Sequence, residues 1–438
     1  MIHAPLQISS AGAGAGRLPW PERLGLWLRD HQRLVGRLQW GMVALYLPLV
    51  FLPPFLPDTG QGAQVGATFT LLARILLWGF WLPGVLVSVL VLGRLWCGLL
   101  CPEGALTAAA SRHGRGHAIP RWMKWPGWPF VLFAAVTVYG QMISIYDNPR
   151  AVALIFGLTT GSALLVGWLY GKEKRVWCRF LCPMNGLFAM LAKLAPMHYR
   201  VDARAWDACS PARARGMRFN CEPMVPVRTM ESASPCHMCG RCAGFRGAVR
   251  LELRGWGAEV TRAPGSPAES LLVISGLIGL GSAVFWWPHA PWLGALTETL
   301  AMERPAPWFL FAAAGPGMTM GEGVALLLTL AVLAITLSAV VALPLAVADR
   351  GQGRFHRLAL TLLPLAAGGL IAGFARSAWA FLPPHAAPFD ARLVWSGLLL
   401  VSAVWSLGLA RRLPGGAVRA VGAAVVIPVT GWLLVIWS

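Results

Sequence analysis

Apolar stretches long enough to cross a bilayer recur along the chain at 38–57, 75–93, 127–146, 151–170, 270–288, 323–347, 358–382, 393–410 and 418–437. Each approaches the ~20 residues that a helix needs to traverse a hydrocarbon core of about 30 Å. The pattern therefore predicts nine transmembrane helices. The first and seventh are the least regular, since both hold prolines and the seventh holds Arg376, which leaves a re-entrant path open for either. Ahead of the first stretch, Leu24, Trp27, Leu28, Val35 and Leu38 fall roughly on one face between Pro21 and Leu38. That spacing predicts an amphipathic helix lying in the membrane interface.

Composition agrees with a membrane class: 56% of the 438 residues are hydrophobic and 13% charged, with a mean hydropathy of +0.60. The first 37 residues pass from an Ala/Gly stretch into a basic segment without the apolar core of a secretory signal. A net charge of +19 invites a nucleic-acid reading, but its distribution argues for topology. With the N-terminus cytoplasmic, every Lys and Arg except Arg74, Arg150, Arg304, Arg376 and Arg392 falls on an inner segment, as the positive-inside rule requires. No nucleic-acid partner is expected; the partner of these basic loops is the lipid surface. In particular, the loop 112–124, with Arg112, Arg115, Arg121 and Lys124 beside Trp122 and Trp125, reads as a membrane-surface anchor.

Four parts follow: a basic N-terminal segment at 1–37, a four-span core at 38–196, a polar cytoplasmic domain at 197–269 and a second set of spans at 270–438. All nine cysteines lie between Cys97 and Cys242 on inner segments. In a reducing compartment they are better read as metal ligands than as disulfides. Two copies of one element carry four of them. GRLWCGLLCPEGAL and KRVWCRFLCPMNGL share Arg94/Arg175, Trp96/Trp177, Cys97/Cys178, Leu100/Leu181, Cys101/Cys182 and Pro102/Pro183. Cysteines four apart on a helix share a face, and a following proline frees a carbonyl. Two spans separate the copies, so both meet the membrane with the same polarity, as a parallel repeat able to gather four thiols. Soft thiolates at Cys97, Cys101, Cys178 and Cys182 suit a transition metal or an iron–sulfur cluster.

Pro235-Cys236-His237-Met238-Cys239-Gly240-Arg241-Cys242 begins a bacterial ferredoxin motif, although Arg246 stands where its fourth cysteine belongs. Cys209 and Cys221 look like the remains of a first motif. In two-cluster ferredoxins the fourth cysteine of each motif serves the other cluster. Cys221, followed by Glu222-Pro223, then completes a [4Fe-4S] site with Cys236, Cys239 and Cys242, while Cys209 is a remnant or an alternative ligand. Zinc on the same four thiols is the alternative occupant. Arg241 and backbone amides are candidate hydrogen-bond donors to the sulfurs.

Paired Cys-x3-Cys-Pro elements followed by such a segment resemble the membrane polyferredoxin superfamily over residues 70–255. That group includes the quinol oxidase subunit of periplasmic nitrate reductase systems and the cupric reductase of cytochrome oxidase assembly. GRLWCGLLCPEGAL, SRHGRGHAIPRWMKWPGWPF, VYGQMISIY and CHMCGRCAGFRGAV are most similar to the polyferredoxin component of bacterial ferrous iron uptake systems. The resemblance implies an inner-membrane electron-transfer subunit rather than a stand-alone enzyme. Its implied partners are a periplasmic iron-binding protein, a cupredoxin, an iron permease and the quinone pool. Rival functions are a cupric or ferric reductase and a thiol-based metal transporter. The expected architecture is an all-α polytopic membrane protein of about nine helices, N-terminus cytoplasmic, with a small cytoplasmic ferredoxin-like insert. One [4Fe-4S] cluster is expected on the insert, and a second centre on the Cys-Pro pairs.

Thiols alone leave the outer half of the electron route open. No histidine lies well inside a span; His289 and His385 sit near the outer face and read as interfacial. Met302, Met318 and Met320 offer soft thioethers on an outer segment, with partner docking the plainer role.

Overall fold

In a computed structural model we describe residues 18–56, 69–210, 219–300, 303–312, 318–381 and 390–438. Among the described residues eight helices are long and apolar enough to cross a membrane: Gln32–Phe55, Phe69–Leu92, Pro149–Tyr170, Pro267–His289, Met320–Asp349, Phe355–Trp379, Ala391–Ala410 and Ala417–Trp437. The remaining expected span is shorter, a helix at Trp128–Met142. Its outer end is lost because the chain turns at Ile143–Asp147, where the Ile145 amide bonds the Gly140 carbonyl and Ser144 takes a positive φ of 55°. Neither irregular stretch is re-entrant. The first stays helical through Pro48, and the seventh runs from Phe355 to Trp379.

Two spans form the centre. Pro267–His289 and Phe355–Trp379 have 78% and 83% of their most apolar windows buried, whereas the outer spans have 33–44%. A helix apolar on every side belongs in such a core. Small residues let these helices close together: the ring of Phe285 lies over Gly373, and Ala378 faces Gly79 of the Phe69–Leu92 span. In that span, Ile75–Trp81 is wound as a π-helix.

A two-stranded antiparallel sheet founds the polar insert. β1 (Met197–Val201) pairs with β2 (Val249–Leu253) in the register Met197↔Leu253 and Val201↔Val249. The thiol-bearing loops hang from this ribbon over an apolar core that includes Met197, Tyr199, Val225, Met238 and Leu251. Glu259 ties one loop down, accepting from Ser232 Oγ, from the Ala233 amide and from Arg254.

The expected interfacial helix takes a different place. Trp20–Asp30 ends at His31, and a new helix starts at Gln32. Its buried side, with Gly25 and Leu28, packs on the insert: Gly25 meets Leu251 and Tyr199, and Leu28 meets Gly240. The insert supplies an apolar surface that competes with the membrane for the same face, and Gln32 and Arg29 add hydrogen bonds to the carbonyls of Cys239 and Ala243.

Candidate iron–sulfur sites

Each Cys-x3-Cys-Pro element is a short helix followed by a tight turn. Leu95–Leu99 and Val176–Phe180 are helical. The carbonyl of Trp96 accepts from both Leu100 and Cys101 (2.9 Å each), and that of Trp177 from Leu181 and Cys182 (2.9 and 3.0 Å). The bonds to the second cysteines close a wider turn than the helix allows, so the helix stops before them. The two thiols of a pair therefore do not share one helix face. Cys101 instead caps the next helix, Pro102–Arg112, its Sγ accepting from the Gly104 amide at 3.3 Å.

The prolines do free carbonyls, and side-chain amides take them. Gln39 Nε2 donates to the Gly98 carbonyl at 2.7 Å, and Asn185 Nδ2 to that of Arg179 at 3.1 Å. Gly98 and Arg179 are the residues four before Pro102 and Pro183, whose missing N–H groups leave those oxygens open.

The four Cys-Pro thiols form one electrostatic neighbourhood. Cys101 and Cys182 each sense the other pair, and Cys97 and Cys178 are buried. Burial pushes the Cys178 thiol up to about 12 and raises Cys101 and Cys182 well above the ordinary thiol range. A second group gathers on the insert: Cys236 and Cys242 both feel the charge of Cys221 and Cys239, and burial pushes Cys236 up to about 12. Cys209 stands apart, at the C-terminal end of the short helix Ala203–Ala208 with its thiol toward the Ser210 carbonyl.

Buried thiols with such raised values become ligands when a cationic centre displaces their protons. Amides are placed to donate to the sulfurs: Val225 to Cys221 and Met238 to Cys236, both at 3.4 Å. Among the described residues no three His, Cys, Asp or Glu side chains close in on a single ion. Sets of four thiolates are the ligands of [4Fe-4S] clusters and of zinc alike.

The sites are packed against each other. A Cβ added to Gly98, midway between Cys97 and Cys101, would lie 2.2 Å from the His237 carbonyl oxygen and 2.9 Å from the Cys239 nitrogen. The motif arginines fasten this junction. Arg94 donates to the Ser234 carbonyl (2.5 Å), to Asn185 Oδ1 (2.8 Å) and to Cys97 Sγ (3.8 Å). Arg175 donates to the Cys97 carbonyl (3.0 Å) and pairs with Glu222 at 2.6 Å. Arg241, expected to donate to sulfur, instead bonds Glu222 at 2.7 Å and Gln32 at 3.1 Å. Glu222 is buried and must be compensated, and it draws that guanidinium away.

A cavity of about 210 Å³ opens from Cys101, Glu103 and Cys182 and runs between the spans to Trp78, Gln141, Tyr146 and Phe374. Its wall is mostly apolar and aromatic, with Tyr46 and Thr159 among the few polar side chains. Residues from several helices converge there, which is why no local pattern announced it. The outer charges are accounted for separately: Arg74 bonds the Asp147 carbonyl, and Arg376 faces His289 at 3.4 Å. Met318 is buried; Met302 and His385 lie outside the described residues.

A family model described as a 4Fe-4S binding domain matches residues 75–120 and 153–201. Each matched stretch carries one Cys-x3-Cys-Pro element. The chain is 27% identical over 210 residues to YccM, a proposed electron transport protein of Escherichia coli (strain K12), covering 42% of this chain and 55% of that protein. It is 30% identical over 173 residues to the methylamine utilization ferredoxin-type protein MauN of Paracoccus denitrificans (strain Pd 1222), covering 36% of this chain and 59% of MauN. The chain thus spans between half and two thirds of the length of these relatives. No solved structure matches it. These matches support a membrane polyferredoxin-like family and a [4Fe-4S] cluster as its cofactor.

Proposed function

We propose that the protein is a one-electron carrier linking the quinone pool, or a redox partner on the periplasmic side, to the cytoplasmic face of the inner membrane. In this reading Cys221, Cys236, Cys239 and Cys242 hold one [4Fe-4S] cluster, and Cys97, Cys101, Cys178 and Cys182 hold a second. Each cluster supplies a one-electron centre; the protein holds the two close and dry. The observation that carries the reading is the backbone contact of Gly98 with His237 and Cys239, which sets the two thiol groups side by side. The cavity beyond Cys101 and Cys182 suits a quinone head, being apolar with a few convergent polar groups.

The physiological setting we propose is ferrous iron uptake, with a periplasmic iron-binding protein, a cupredoxin and an iron permease as partners. The wording of the Cys-Pro and ferredoxin segments supports it.

The first test is iron and acid-labile sulfide content, with EPR of anaerobically purified, dithionite-reduced protein. About eight irons per chain with two reduced-cluster signals are expected for two [4Fe-4S] clusters. About four would leave the Cys-Pro thiols without a cluster. Zinc without sulfide would end the electron-transfer reading. For the setting, a deletion strain that accumulates ferrous iron as well as its parent would remove iron uptake while leaving the redox chemistry standing.

A further inference from the structure

His237 is 2% exposed, and neither ring nitrogen has a hydrogen-bond partner. A buried imidazole always carries at least one N–H, and leaving a polar group unpaired in a protein interior is destabilising. Such orphans are rare in folded proteins, and each calls for a missing partner. Its surroundings narrow the choice. The ring's charged neighbours are Arg94, Arg175 and Arg179, all three from the Cys-Pro elements and all donors only. They offer the ring nothing to donate to. Its own carbonyl is pressed on Gly98, between Cys97 and Cys101. The side chain thus lies among arginines of the Cys-Pro elements, and its backbone lies on the seam between the two thiol groups.

We propose that His237 is a positioning residue whose ring N–H donates a hydrogen bond to sulfur of the centre held by Cys97, Cys101, Cys178 and Cys182, so that a side chain of one cluster loop tunes the other cluster. It rests on the reading that those thiols hold a cluster. Sulfur is an acceptor the structure otherwise lacks at this spot, and donors to cluster sulfur raise the reduction potential by favouring the more negative, reduced form. His237 stands between two ligand cysteines of the insert loop, so any movement of that loop changes the donor as well. The two centres are thereby coupled through one residue and not only through space.

The test uses the full-length protein in detergent, purified anaerobically, with iron and sulfide measured on every sample. His237→Leu removes the donor at similar bulk; His237→Gln restores one. EPR-monitored redox titration is expected to show one of two midpoints shifted to lower potential in His237→Leu, the other unmoved, and the shift largely reversed in His237→Gln. Pulsed EPR on wild-type protein labelled with 15N-histidine is expected to show a weak nitrogen coupling to the reduced centre that His237→Leu abolishes. Unchanged midpoints at full iron content overturn the proposal. Strong coupling typical of direct ligation, or equal iron loss in both variants, overturns it in favour of a ligand or a packing role. Wild-type protein with no iron on the Cys-Pro thiols removes the underlying reading instead, and Cys101→Ser with unchanged iron content identifies that case.

Discussion

At the residue scale, Glu222 has the most to lose. Its carboxylate is buried beside Cys221 and holds both Arg175 (2.6 Å) and Arg241 (2.7 Å). Glu222→Ala strands the Arg175 guanidinium, itself only 3% exposed, and breaking a buried pair from one side costs about 3–5 kcal/mol. The variant is expected to lose thermal stability and cluster iron together; a melting point equal to wild type would show that water reaches the pair. Gly98→Ala drives a methyl to within 2.2 Å of the His237 carbonyl. Backbone cannot yield as a side-chain tip does, so the two loops must part, and loss of most cluster iron is the expected outcome. For the thiols themselves, Cys221→Ala is expected to abolish the insert's EPR signal and Cys209→Ala to leave it. Equal loss in both would show that this assignment of the fourth ligand is wrong. The grouping of the cysteines was legible because their spacing is local. The partners of Arg94 and Arg175 were not, although their repetition was plain, because Ser234 lies 140 residues from Arg94 and no periodicity links them. The pairing of Arg241 with Glu222 is equally hidden, since no sequence pattern links the two.

At the element scale, the Cys-Pro turn depends on side chains outside it. Gln39 closes the carbonyl that Pro102 leaves open, and does so from a span 59 residues away. Gln39→Leu leaves that oxygen buried and unpaired, a cost of about 1–3 kcal/mol. Faster cluster bleaching at unchanged expression is expected, and an unaltered bleaching rate would mean that water replaces the amide. The sequence led to a freed carbonyl but also to two cysteines on one helix face, and the second expectation failed. A proline four residues past a helical carbonyl does not specify where the helix stops; the wide turn onto Trp96 and Trp177 does, and only coordinates show it. Span lengths were legible from apolar runs to within a few residues, since the bilayer sets them. The third span is shorter than its apolar run because the turn at Ile143–Asp147 still buries Ile143 and Ile145, and hydropathy cannot distinguish a buried turn from a helix end.

At the scale of the whole molecule, the duplicated elements follow spans of the same direction, Phe69–Leu92 and Pro149–Tyr170, and therefore emerge at one face. A reporter fused in the 112–120 loop is expected to give the same cytoplasmic reading as one fused near Arg228; a periplasmic signal from either would undo the reducing-compartment reading of every thiol. Fold class was legible because composition and periodicity average over the chain. The cavity was not, because its walls come from helices scattered between Tyr46 and Phe374. The helix Trp20–Asp30 is another whole-molecule feature, since its contacts lie two hundred residues downstream: Arg29 bonds the Ala243 carbonyl across 214 positions, and Gln32, at the start of the next helix, bonds that of Cys239 across 207. Deleting it is expected to shorten the lifetime of the insert's EPR signal in air.

That distance also orders biogenesis. Chains grow at about 5–20 residues per second, so this helix waits roughly 10–40 s after its own synthesis before its seat exists. Once that seat has been made, the insert's cysteine loops stand uncovered until the helix docks, accessible to whatever delivers iron and sulfide. Docking of the helix afterwards closes the door behind the delivery, and a chain that docks it around empty thiols has sealed in its own failure.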